Sequence, residues 1–148
     1  MSTIKSYKGK LAPTLQEKIF LSTSNGLTGY RIKKFDIITS TPAGTGTDEH
    51  VMKIYTTDQT GSIGPTVDFS ETDLLGVAFY QETGAGDGIS KTIIFDNEVF
   101  NQDIFITCSD GGGGTKPANY YLELEQIKLN LNEATYHTIK NIRTSTQV

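Results

Sequence analysis

The sequence predicts an all-β fold: an antiparallel β-sandwich or jelly-roll, with an irregular N-terminal arm and one short C-terminal helix. Three observations carry this expectation. First, the 148 residues include 21 Thr and 15 Gly, with 7 Tyr and 7 Phe but no Trp. β-Branched and aromatic side chains suit a pleated surface, and Gly suits the turns between strands. Second, apolar residues alternate over short runs that are punctuated by Gly, Pro, Asn and Asp. Third, no amphipathic helix of crossover length separates those runs, which disfavours a parallel α/β arrangement.

Taken in order, residues 1–16 carry Gly9, Pro13 and three lysines (Lys5, Lys8, Lys10) without periodicity, and read as an irregular arm. "EKIFLST" is a short strand closed by "SNG". Thr28 to Ser40 form a long strand whose apolar parity shifts: Tyr30 and Ile32 are even, whereas Phe35 and Ile37 are odd. One extra residue near Lys33 and Lys34 would produce that shift, so a bulge is expected there. "TPAGTGTDE" is a loop. "HVMKIYTT" is a strand with His50, Met52 and Ile54 on one face and Val51, Lys53 and Tyr55 on the other. "DQTGSIGPT" is a second loop, and "VDFSETD" fits neither class cleanly. "LLGVAFYQE" alternates as a strand, "TGAGDG" is a turn, and "ISKTIIFDN" and "DIFITCS" are strands around "EVFNQ". Tyr120, Leu122 and Leu124 then alternate with Tyr121, Glu123 and Glu125 in a last strand. Its apolar parity changes between Leu124 and Ile127, which allows one surface at its start and another at its end. A helix is expected over residues 132–143, with Asn132 as N-cap, Glu133 in the first turn, and Lys140 and Arg143 near the end. The whole chain, 1–148, reads as one domain.

Charge and cysteine content exclude several classes. With 13 Lys and Arg against 17 Asp and Glu, the net charge is -4. That balance provides no electrostatic footprint for nucleic acid. A single cysteine, Cys108, excludes an intrachain disulfide framework, and its strand position predicts a buried, inert thiol. The opening residues lack the apolar core of a secretory leader, and no apolar run approaches the ~20 residues of a membrane span.

The run Gly111–Gly114 invites a phosphate-loop reading. That chemistry needs a helix N-terminus after the loop, whereas an alternating strand follows, so the glycines are expected to form a mobile hairpin connection. Asp87 stands alone among glycines, and calcium wants six to eight oxygens from several carboxylates, so a turn is expected there. Glu123 and Glu125 share a strand face at a spacing that could suit glycosidase chemistry, but a solvated face is the plainer expectation. His50 and His137 lie far apart in the chain and show no metal-ligand pairing. No catalytic residue, cofactor-binding residue or metal ligand is therefore expected, and the chain is read as a non-enzyme.

"IIFDNEVFNQDIFIT", the Gly-rich gap, "NYYLELEQIKL" and "NEATYHTIKNIR", together with "LSTSNGLTGYRIKKFDI" near the start, resemble small virion structural proteins of marine tailed bacteriophages. The resemblance covers most of Phe20 to Arg143 and rests on sequence texture, with no catalytic motif. It implies a capsid decoration or accessory protein, assembled in the host cytoplasm and resident in the virion. Its partners would be other virion subunits, the major capsid protein foremost, with homo-oligomerisation and with neither nucleic acid nor membrane. The candidate subunit interface is Ile127, Leu129 and Leu131 at the end of the last strand, with Tyr136, Ile139 and Ile142 on the helix. The alternative is a glycan- or receptor-binding β-sandwich module, which the lack of Trp weakens.

Overall fold

The computed structural model describes residues 3–42, 47–82 and 88–145, the side chains of residues 142–145 excepted. The turn expected around Asp87 lies outside the described residues, as does part of the loop expected at residues 41–49. Eight strands and one helix are described: β1 (Thr3–Leu11), β2 (Gln16–Ile19), β3 (Thr28–Thr39), β4 (Asp48–Tyr55), β5 (Leu74–Glu82), β6 (Gly88–Ile94), β7 (Ile104–Asp110), β8 (Ala118–Lys128) and α1 (Leu131–Ser145). They form two antiparallel sheets, a three-stranded one ordered β1-β8-β3 and a five-stranded one ordered β2-β7-β4-β5-β6.

The sandwich follows from alternation on the facing strands. Along β8, Tyr120, Leu122 and Leu124 point inward and are at most 4% exposed. They share one core with Met52 and Ile54 of β4 and with Ile104, Ile106 and Cys108 of β7. The bulge expected in β3 is present: the register with β8 shifts between Ile32 and Lys34. It keeps both Ile32 and Phe35 on the core side, each 1% exposed.

The outer face of β4 is covered as well. Val51 and Tyr55 pack with Leu74 and Val77 in a second cluster, against Phe79 and Phe95. The long connection over residues 56–73 lies across this face: Lys53 Nζ donates to Thr66 O at 2.7 Å, and Phe69 meets Phe95 edge-on. The stretch "VDFSETD" belongs to this connection and forms no strand.

The N-terminal arm is the main correction. Residues 3–11 form β1, paired along its full length with β8 from Thr3↔Gln126 to Leu11↔Ala118. The residues that looked like breakers have specific places in this strand. Gly9 lies under the ring of Tyr120, where an added Cβ would come within 2.8 Å of the ring, so only glycine admits that contact. Lys5, Lys8 and Lys10 are exposed on an edge strand, where charge blunts further strand pairing. Pro13 sits in a turn closed by Leu15 N–H donating to Ala12 O. The turn carries the chain from one sheet to the other.

The glycine run is also corrected. β7 belongs to the five-stranded sheet and β8 to the three-stranded one, so Gly111–Gly114 link the two sheets and do not close a hairpin. The helix begins at Leu131, one residue before the expected N-cap. Glu133 N–H donates to Asn130 Oδ1 at 2.9 Å, and Asn130 N–H donates to Glu133 Oε1 at 3.2 Å. This reciprocal box makes Asn130 the cap in place of Asn132.

Thr14 holds φ = 70° at the third position of its turn, after Pro13, where a β-branched residue is strained. Replacing Thr14 with Gly is expected to raise stability by about 0.5–1 kcal/mol, since the relieved strain exceeds the entropy cost of glycine. Urea denaturation measures it, and an unchanged or lower midpoint would refute the strain.

Candidate functional site

The sandwich presents two distinctive surfaces at its opposite ends. β3 and β8 pair from Thr28↔Lys128 at one end to Thr39↔Ala118 at the other. By strand rise the ends are roughly 35 Å apart.

At the first end, α1 is held by a polar knot. Asn101 is fully buried, and its side-chain amide donates to Gly26 O at 3.0 Å, Ala134 O at 3.2 Å and Thr138 Oγ1 at 2.7 Å. Its backbone N–H donates to Asn141 Oδ1 at 3.3 Å. Lys140 pairs with Glu98 at 2.9 Å. Ala134 and Asn141 therefore face inward, and the opposite face of the helix is left to solvent.

That outward face contains three of the six residues of the sequence-predicted interface. Leu131 is 73% exposed, Tyr136 60% and Ile139 52%. Leu131, Thr135 and Ile139 stand at helical spacing and, with Asn25, border a groove of about 180 Å³. Two predicted residues behave differently. Leu129 is 4% exposed: its N–H donates to Leu27 O, and its side chain lies against Gly29, so the chain itself takes it up. Ile127 is half-buried beside it, opposite Gly29 in the register. The Ile142 side chain lies outside the described residues.

At the second end, the inner row of β4 and β7 becomes ionisable. His50 is fully buried, with Nε2 3.1 Å from Thr39 Oγ1. Burial lowers its pKa, opposed by the charges of Asp110 and Asp48. Asp48 Oδ2 accepts from Lys116 Nζ at 3.1 Å. Asp110 Oδ1 accepts from Gly112 N–H at 2.8 Å, and Gly111 N–H is spent on Glu49 O at 2.9 Å. The first N–H groups of the glycine run thus turn onto the protein's own oxygens, and a strand follows them; this is no phosphate cradle. Cys108, one rung deeper, is fully buried, and burial pushes its thiol up to about 12, which makes it inert.

The sequence puts His50 on one face with Met52 and Ile54, without its companions. Asp48 was accessible from the same parity. Asp110 was not, because it becomes His50's neighbour only through the β4–β7 register.

The outer face of the three-stranded sheet carries a shallow concavity of about 590 Å³, lined among others by Lys8, Asp36, Ile38 and Tyr121. Glu123 accepts from Tyr121 Oη at 2.7 Å, and Glu125 is paired with Arg31, so both carboxylates are engaged. His137, on α1, is half-buried and far along the chain from His50. No helix among the described residues is long and apolar enough to cross a membrane.

No protein-family model matches the chain, and no curated protein is significantly similar to it.

Asn101→Ala is expected to cost about 1–3 kcal/mol, because it removes the amide that joins α1 to the sandwich and leaves buried acceptors short of a donor. Chemical denaturation checks the loss, and a change below 0.5 kcal/mol would show that the knot does not hold the helix.

Proposed function

We propose that this protein is a non-enzymatic structural subunit of a virion, of the capsid decoration or accessory kind, which binds other subunits through the outward face of α1. The observation that carries this reading is the exposure of Leu131, Tyr136 and Ile139 on a helix that is capped and pinned. A pinned helix presents its apolar side chains in fixed positions, so a partner covering them orders little further chain. Covering a Leu or Ile side chain is worth about 1.5–3 kcal/mol, enough for two or three such residues to dominate a small interface. The resemblance to phage virion proteins supplies the setting, and the partners would be copies of this chain or the major capsid protein.

The double variant Leu131→Asp, Ile139→Asp is expected to lower the solution mass seen by light scattering, or to abolish co-sedimentation with capsids. Thermal stability should change little, since both positions are exposed. A wild-type protein that stays monomeric and ignores capsids, or a variant that assembles as well as wild type, would overturn the reading.

The concavity beside Tyr121 favours a second reading, a glycan-binding module, because an exposed aromatic flanked by Asp36, Lys8 and Asn119 is a stacking platform with polar edges. That reading requires hits in a glycan screen that Tyr121→Ala removes. A screen without hits retires it.

A further inference from the structure

The inner faces of β4 and β7 meet rung by rung: Ile54 opposite Ile106, Met52 opposite Cys108, His50 opposite Asp110. Two fully buried apolar rungs are followed by an ionisable one. Asp48 extends the same face of β4 one step further. One donor atom from each of Asp48, His50 and Asp110 can be chosen so that all three lie within 4.8 Å of one another. Bonds of about 2.1 Å hold the ligands of a single ion roughly 3–4 Å apart, so small side-chain movements would close the set.

The cluster also has unmet needs. His50 Nδ1 and Asp110 Oδ2 are both buried, and neither has a hydrogen-bond partner among the described residues. When His50 Nε2–H donates to Thr39 Oγ1, Nδ1 offers a lone pair, and a carboxylate oxygen offers only lone pairs. Buried acceptors left without a donor fit a cation. The formal charge points the same way, with two carboxylates against the one ammonium of Lys116. A buried excess of negative charge is unfavourable until it is matched.

The surroundings resemble a supporting shell. Lys116 occupies Asp48 in the ion's place, while Thr39 orients His50 and Gly112 N–H fixes the other oxygen of Asp110. Such partners orient ligands and set their basicity. Gly114 passes so close that an added Cβ would lie 2.7 Å from Asp110 Oδ2, so the glycine run folds tightly over this carboxylate.

We propose that Asp48, His50 and Asp110 form a binding site for a divalent transition-metal ion, roofed by the glycine run. One imidazole nitrogen with two carboxylates suits zinc, manganese or iron(II) and does not suit calcium, which takes six to eight oxygens. The ion would brace β4 against β7 where the chain leaves for the other sheet. The site lies at the end of the sandwich away from α1, so it stands independently of the subunit-binding reading.

The test uses the full chain, stripped with chelator and titrated with Zn²⁺ and Mn²⁺, with Mg²⁺ as control, by calorimetry and thermal melting. One Zn²⁺ per chain is expected, with a rise in Tm that EDTA reverses. Asp110→Asn keeps the side-chain shape and should weaken binding by at least about 10-fold, the low end of the loss seen even for supporting partners. His50→Gln should abolish it; should that variant fail to fold, Asp110→Asn still decides. Lys116→Met removes a competing cation and should tighten binding, whereas a purely internal salt bridge would predict only lost stability. No Zn²⁺ binding in wild type, or binding that survives Asp110→Asn and disappears in His137→Gln, overturns the site.

Discussion

Everything in this structure depends on two pleated sheets agreeing on which side chains face the space between them. Side chains alternate strictly along a strand, so a slip of one residue would expose Leu122 and Leu124 and bury Glu123 and Glu125. β8 bears most of this constraint, because it pairs with β1 on one edge and β3 on the other. β3 meets the same demand by inserting an extra residue between Ile32 and Lys34, which lets residues of opposite parity share one core. The bulge is a requirement of the packing: without it, either Ile32 or Phe35 would face water.

The same rule explains where polar chemistry sits. The core row is apolar as long as both sheets cover it, and it becomes ionisable at His50 and Asp110, where β3 ends at Thr39 and β8 has just begun at Ala118. At the opposite end, the core is closed by a helix, held by amides and a hydroxyl: Asn101, Asn141 and Thr138. Neutral groups can satisfy one another within the chain. The charged cluster at the far end leaves His50 Nδ1 and Asp110 Oδ2 unmet.

These ends suit separate tasks. The helix displays apolar side chains on a rigid support, the surface we propose for protein partners. The mouth collects carboxylates and an imidazole beneath a glycine roof. On the two proposed readings together, an ion would brace the end of the subunit that its partners do not cover.

Much of this was legible in the sequence, and the boundary has a physical cause. Period-two alternation, turn residues and the parity shift in β3 are local, and they alone determined the all-β class, most strand positions, the bulge and a C-terminal helix. The Asn130–Glu133 spacing was local too, yet Asn132 competes for the same role, and only the backbone hydrogen bonds choose between them. Partners distant in sequence were decided by the tertiary structure. Gly9 and three lysines read as an irregular arm until β8 offers an edge and Tyr120 offers its ring. Four glycines read as a hairpin until β7 and β8 fall in different sheets. Leu129 reads as interface until Gly29 leaves room for it. His50 reads as an isolated histidine until strand register sets Asp110 opposite. In each case the deciding contact joins residues far apart along the chain, and no local pattern encodes which strand will lie beside which.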